Sequence, residues 1–311
     1  MAATASALMN ELEILRRIRR KIPAFRGSGV VLGIGDDCAI FRPSGSKEDL
    51  LLTTDLVIEE VHFRRDLHPA AAVGHRVLAR GLSDIAAMGG APRFSLVSLA
   101  LPAWADEKWI GAFYSGFLRL AQKTGTVLAG GDLARADRLV CDIVVCGAVP
   151  RGKALRRDGA RPGDVIYVSG LLGGSARGLE KRSGTAWRRH LRPEPRLELG
   201  RFLREKLHAT SAMDLSDGLS FDLHRLCRES DAAASIDQPL PVFPGATLDH
   251  ALHGGEDYEL LFTIRPGALP PRRHAGVLIT RIGTIRKGKA GAVDLLSRPL
   301  APLGYDHFRR Q

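Results

Sequence analysis

Hydrophobic positions along the chain follow two periods. Short apolar runs of strand length stand at 30–34, 50–54, 94–101, 139–149, 165–168 and 260–264. Between them the spacing becomes helical. One such segment, 75–88, stops at Gly89-Gly90, and another, 107–124, stops at Gly125. Near the start, Leu8, Leu12, Leu15 and Ile18 fall on one face and predict a surface helix. Strands alternating with helices give an α/β or α+β class. The run 139–149 leads into Pro150, Arg151 and Gly152, and a second unit opens at the turn Arg161-Pro162-Gly163-Asp164. The chain is therefore expected to divide into domains 1–149 and 150–311. The polar stretch 181–195 reads as a loop, and no repeat of fixed period is visible.

Composition narrows the class. With 311 residues and 45% hydrophobic content there is room for two cores, which excludes a disordered chain. No apolar run approaches the roughly 18 residues of a membrane span. The longest, 95–104, contains Pro102. Cys38, Cys141, Cys146 and Cys227 form no CxxC pair and read as reduced, buried thiols of a cytoplasmic protein. The arginines at 16, 17, 19 and 20 suggest a transit peptide, but Glu11 and Glu13 oppose that reading. A net charge of +11 and a pI near 9.9 raise the question of nucleic acid. The basic residues are scattered over 16–26, 151–161, 181–206 and 272–289, interrupted by acids, without a nucleic-acid motif. Nucleic acid is not the expected main partner. The string GTIRKGK at 283–289 has P-loop spacing as far as Lys289, but Ala290 stands where a hydroxyl would hold magnesium, so a basic turn is expected.

The acids carry the chemistry. Aspartates recur beside glycines and hydroxyls, at Asp36-Asp37, Thr53-Thr54-Asp55, Ser83-Asp84, Gly130-Gly131-Asp132, Asp214-Leu215-Ser216-Asp217-Gly218 and Gly255-Glu256-Asp257. They sit at expected strand ends and helix starts, where α/β proteins place ligands. Carboxylates about 4 Å apart repel by roughly 4 kcal/mol per pair at an effective dielectric near 20, so a converging set needs a cation. Oxygen ligands alone select a hard ion such as magnesium, which leaves coordination sites for phosphate oxygens. A nucleoside triphosphate is the expected ligand. Asp36 and Asp37 would face opposite sides of an extended chain, one as ligand and one orienting the loop. Asp214 and Asp217, three apart, would share one side of a helical turn as a metal clamp. Each piece alone has a plainer reading. Asp84 can pair with Arg80, Asp217-Gly218 can be a turn, Thr53-Thr54-Asp55 and Asp132 can be caps, and His62 can be structural.

The strings GIGDDCAIF (33–41), TTDLVIEEVHF (53–63), LSDIAAMGGAP (82–92), GGDLAR (130–135), GKALRR (152–157), RPGDVIYVSG (161–170), HLRPEPR (190–196), MDLSDGL (213–219), GGEDYEL (254–260) and GYDHF (304–308) occur together in this order. In this combination the chain resembles the thiamine-monophosphate kinase family, within a superfamily similar to aminoimidazole ribonucleotide synthetase. The resemblance implies an N-terminal α/β domain that dimerises through a sheet barrel and a C-terminal α/β domain, with ATP and several magnesium ions in the cleft. It implies metal ligation by Asp37, Thr53, Thr54, Asp55, Asp84, Asp132, Asp214 and Asp217. ATP contacts are implied for Gly131, Asp132, Arg157, Ser216 and Tyr114, and thiamine monophosphate contacts for His62, Glu256 and Tyr305. Asp37, Asp217 and Arg157 would carry catalysis. Thr53 replaces the family's more usual serine and keeps the hydroxyl, and 265–300 is short and arginine-rich.

The implied reaction moves the γ-phosphoryl group of ATP directly onto thiamine monophosphate. The acceptor is already anionic, so no general base is required, and Glu256 would suit the positive thiazolium. Two rivals compete. One is a superfamily enzyme of the aminoimidazole ribonucleotide or selenophosphate synthetase type. The latter needs a reactive cysteine ahead of the glycine-rich strand, and none precedes Cys38. The other is a basic nucleic-acid-binding protein that has lost catalysis, which the retained acids oppose.

Overall fold

In the computed structural model, which describes residues 11–22, 25, 27–305 and 307–308, two sheets follow one another along the chain. Helix α1 (Glu11–Lys21) precedes β1 (Val30–Leu32), β2 (Ala39–Phe41) and β3 (Glu48–Ile58). Helix α2 (Ala70–Ala87), β4 (Ala91–Leu101), α3 (Glu107–Thr124), β5 (Val127–Arg135) and β6 (Val140–Pro150) complete the first half. Its six strands are ordered β1-β2-β3-β6-β4-β5, antiparallel except for β4 and β5. Along β3 the odd positions from Asp49 to Thr53, and Val57, are buried, while Thr54 and Leu56 are exposed. The inward side chains pack on α2, with Leu51, Ile143 and Val145 sharing one core with Val77, Leu82 and Phe117. The opposite face of this sheet is open and partly apolar: Leu56, Phe94 and Leu96 are exposed.

The second half holds β7 (Val165–Ser169), α4 (Gly174–Lys181), α5 (Gly184–Leu191), α6 (Leu197–Phe202), β8 (Ser211–Asp214) and α7 (Leu219–Glu229). Then come β9 (Ala233–Ile236), α8 (Leu248–His253), β10 (Leu260–Ile264), β11 (Arg273–His274), β12 (Val277–Arg286), β13 (Val293–Leu295) and β14 (Arg298–Pro299). The sheet order is β14-β13-β9-β12-β7-β10-β8, with β11 beside β12. The class is mixed α/β, as expected. The C-terminal end of α2 also packs into this half. Ala86 and Ala87 share a core with Leu199, Leu203, Ala212 and Phe262. One helix thus spans both sheets, and this arrangement assembles the site.

The longer elements stand close to their expected places. Helix α3 fills 107–124 because Asp106 caps it, accepting from Trp109 N at 2.8 Å, and Gly125 ends it at φ 68°. Four readings need correction. The stretch 181–195 is not a loop: it contains α5, which buries Ala186 and His190 beneath a polar outer face. The expected strand 30–34 is only three residues long. Gly283 to Arg286 belong to β12, so the basic turn starts later. Asp214 ends β8 while Asp217 lies in the turn before α7, so the two are not on one helical turn. The surface helix is present as α1, and Leu8 lies outside the described residues. All four cysteines are buried and free. Among the described residues, no helix is long and apolar enough to cross a membrane.

Candidate active site

Three acids from three separate elements meet where α2 passes between the sheets. Asp37 comes from the turn after β1, Asp84 from α2 and Asp214 from the end of β8, each with a carboxylate oxygen within 4.8 Å of the others. Neighbouring hydroxyls fix their rotamers. Thr53 Oγ1 donates to Asp84 Oδ2 at 2.5 Å, and Ser83 Oγ donates to Asp214 Oδ2 at 2.6 Å. Burial, reinforced by Asp37, pushes the Asp214 carboxyl up to about 7. Burial, with Asp214 and Asp55 close by, holds Asp84 well above the carboxylate range. Asp36, raised to about 7 by burial and by Asp37, accepts from the backbone N–H groups of Asp37 (3.0 Å) and Arg157 (3.1 Å) and so orients both loops. Arg157 pairs with Asp37 at 2.5 Å. A crowded all-oxygen donor set, in which burial and neighbouring carboxylates raise Asp84 and Asp214, has the chemistry of a hard divalent cation site.

A cavity of about 380 Å³ opens beside this cluster, lined by His62, Arg80, Ser216, Asp217, Glu256 and Tyr305 among others. His62 Nδ1 accepts from Ile58 N at 3.1 Å, which places a neutral ring's proton on Nε2. Burial, and then Arg80, lower its pKa to about 3. His307 packs between His62 and Tyr305, with ring centroids 5.1 and 4.7 Å away. The Glu256 carboxylate is held by Arg76 and lies 3.8 Å from Arg80. Two largely buried arginines therefore already face the Glu256 carboxylate. Its loop is locked by Glu256 N donating to Ser216 O at 2.7 Å. Any Cβ on Gly255 would come within 2.6 Å of that same oxygen.

Asp217 stands apart from the three acids and pairs with Arg225 at 3.2 Å. Asp222 sets its turn by accepting from the backbone N–H of Asp217 and of Gly218, both at 3.1 Å. A second hollow of about 750 Å³ lies against Asp37, Thr53, Thr54 and Arg157, with Leu15 and Phe25 supplying apolar surface. Arg225 lines both hollows.

Strand geometry splits the segment Thr53-Thr54-Asp55. Thr53 points at Asp84 and Asp55 at Arg80 (3.1 Å), whereas Thr54 points to the open sheet face and donates to Asp142 at 2.7 Å. None of the three is a helix cap. Asp84 likewise does not pair with Arg80, which turns to Asp55 instead. Asp132 is exposed on β5. The register Leu56↔Asp142, Ser98↔Asp142 and Ser98↔Asp132 sets it three strands from β3, at about 4.8 Å per strand. It does not join the cluster. A Cβ on Gly131 would meet Val97 O at 1.8 Å, so glycine is required there by the approach of β5 to β4. Tyr114 packs against Phe113 and Phe117 on α3 and lines neither hollow.

Arg76, Asp142, Asp222 and Arg225 are not among the residues the sequence singles out, and Arg80 stands there only as an alternative partner for Asp84. The spacing of Arg76, Arg80 and Asp84 puts all three on one face of α2, and that was a legible signal. Asp142 lies inside an otherwise apolar strand and gives none.

The family model for the AIR synthase related protein, N-terminal domain, matches residues 35–149. The thiamine-monophosphate kinase of Escherichia coli (strain K12) is 40% identical over 306 residues, covering 90% of this chain and 92% of that protein. That of Bacillus subtilis (strain 168) is 33% identical and covers 97% of this chain and all of its own length (100%). The solved structure "AaThiL complexed with AMPPCP and TMP" superposes with a TM-score of 0.84 at 30% identity, covering 96% of this chain and 97% of that one. Similarity of this extent in sequence, together with the shared two-sheet architecture, settles the lineage: the chain belongs to the thiamine-monophosphate kinase family.

Proposed function

We propose that the chain transfers the γ-phosphoryl group of ATP to thiamine monophosphate, giving thiamine diphosphate and ADP. The observation that carries this reading is the convergence of Asp37, Asp84 and Asp214 within 4.8 Å beside a cavity large enough for a small substrate. Asp37, Asp84 and Asp214, with Asp55 and the Thr53 hydroxyl alongside, would hold magnesium. The bound ions would neutralise the triphosphate and the charge that develops on it. Asp217 would take a further ion at the cavity edge. Thr54 and Asp132 would act from the open sheet face.

An acceptor phosphate oxygen forms the new bond to the γ-phosphorus as the bridging oxygen to ADP leaves. That oxygen is anionic at neutral pH, so no base is needed, and His62, held neutral, serves as a hydrogen-bonding wall. Alignment and charge neutralisation supply the acceleration. Arg157, already against Asp37, would offer its cation to the triphosphate. Ser216 borders the 380 Å³ cavity and would meet the nucleotide, while His62, Glu256 and Tyr305 in that cavity would frame the thiamine end.

We read residues 1–149 as the ATP-binding and dimerising unit and residues 150–311 as the unit that completes the site. The exposed side chains of Leu56, Phe94 and Leu96 on the open face of the first sheet support a homodimer, since a second copy would cover them. Tyr114 and Gly131, remote from the cluster in one chain, would then contribute through the assembled dimer. Free, buried cysteines and use of ATP fit a cytoplasmic enzyme. The test is ADP release with thiamine monophosphate, with and without magnesium, followed by identification of thiamine diphosphate. ADP released at the same rate without the acceptor would overturn the proposal.

A further inference from the structure

Arg80 is a largely buried cation with fewer acceptors than it can use. Its guanidinium carries five N–H donors. Among the described residues one goes to Asp55 Oδ1 at 3.1 Å. Glu256 Oε1 lies 3.8 Å from Nη1, beyond hydrogen-bond length, and the Nε atom is buried with no partner. The side chain is only 15% exposed, and it lines the 380 Å³ cavity. The Nε atom is closed off, so the donors left for a ligand acceptor in the cavity are the Nη hydrogens that Asp55 does not take.

The neighbours define the ligand. Arg76, deeper on the same helix face, donates to the Glu256 carboxylate and to His190 O at 2.5 Å, so Glu256 does not depend on Arg80 for its partner. His62 beside it is neutral. Arg80 reaches Asp55 with one nitrogen and turns another toward Glu256. Asp55 stands on the side of the carboxylate cluster, and Glu256 on the side of His62 and Tyr305. Two arginines and two acids balance here. If a divalent cation takes a share of Asp55, Arg80 is left with charge to offer a second anion. We propose that Arg80 binds the acceptor phosphate of thiamine monophosphate, an assignment that rests on the proposed function and names its phosphate subsite. A phosphate monoester supplies several acceptor oxygens around one centre and matches the donor fork of a guanidinium.

The test compares wild type with Arg80→Gln and Arg80→Lys. Calorimetric binding of thiamine monophosphate and of thiamine is measured without nucleotide, alongside steady-state KM values for both substrates. Loss of a charged hydrogen-bond donor should weaken thiamine monophosphate binding about 10–100-fold in Arg80→Gln, with thiamine binding and the KM for ATP within about threefold of wild type. Arg80→Lys keeps the charge but loses the fork, and should fall between the two. It takes the place of Arg80→Gln if that variant fails to fold. Equal weakening of thiamine and its monophosphate, or unchanged binding of the monophosphate, would overturn the assignment. Turnover by the wild type checks the family reaction by itself. An active wild type with an Arg80→Gln variant that still prefers the phosphorylated ligand removes Arg80 alone.

Discussion

Asp84 carries a carboxyl whose surroundings favour the uncharged form, and an asparagine matches its shape without the charge. Burial and the nearby Asp214 and Asp55 disfavour its charge, while Thr53 holds one oxygen at 2.5 Å. Asp84→Asn should therefore fold as well as wild type in metal-free buffer, yet lose turnover by at least about 100-fold with magnesium, because a charged ligand is gone. Thermal denaturation without magnesium and initial rates with it check both halves of the prediction. The same acids set a pH dependence. Asp36 and Asp214 titrate near 7 in the folded chain against 3.8 in the unfolded one, so the native state binds protons that the unfolded state releases between those values. Their contribution to stability is intact below pH 3.8 and is lost as pH rises through about 7. Magnesium removes the repulsion, so the rise in Tm on adding it should be larger at pH 8 than at pH 5.5. An equal rise at both would show that the carboxylates are not its ligands.

Elements matter here through what they aim. Helix α2 is core on one side and carries Arg76, Arg80, Ser83 and Asp84 toward the seam between the sheets, so one helix sets both the cluster and the cavity wall. The turn before α7 depends on one buried acid, Asp222, which holds the N–H groups of Asp217 and Gly218. Asp222→Ala leaves both donors without that partner and should cost about 1–3 kcal/mol of stability, read from denaturant unfolding. Arg225, already over Phe221 and against Asp217, should then shift, and a change in Phe221-side packing should show by NMR. The two longer helices expected from the apolar period were legible, since 107–124 is bounded by Asp106 and Gly125 and 75–88 falls inside α2 and its Met88 cap. Strand β5 was not, because all but one of its nine residues are exposed and no buried face imprints an alternation. Helix α5 was hidden because only Ala186 and His190 of its eight residues are buried.

At the scale of the whole molecule the open face of the first sheet is the feature that a single chain does not account for. Leu56, Phe94 and Leu96 are 52%, 37% and 36% exposed on strands that are otherwise well packed. In the proposed dimer Leu96→Glu would place a charge in the seam, and sedimentation should then report a monomer for the variant and a dimer for the wild type. A wild type that already sediments as a monomer would remove the dimer from the proposal. Such a dimer would also give the exposed Asp132 a partner surface, which it does not find at the acidic cluster of its own chain.

The sequence by itself determined which residue types were available. Acids beside glycines and hydroxyls, on a basic background and without cysteine or histidine ligand spacing, select oxygen-loving cations and phosphate, because that choice depends on donor chemistry. It also marked the family, through ordered strings that survive in one dimension. Only the tertiary structure decided which acids meet. Asp37, Asp84 and Asp214 lie within 4.8 Å although 47 and 130 residues separate consecutive members. Thr53 and Thr54, adjacent in sequence, part to opposite faces of a strand. Proximity of that kind follows from strand register and from one helix crossing two sheets, and residue spacing does not encode either.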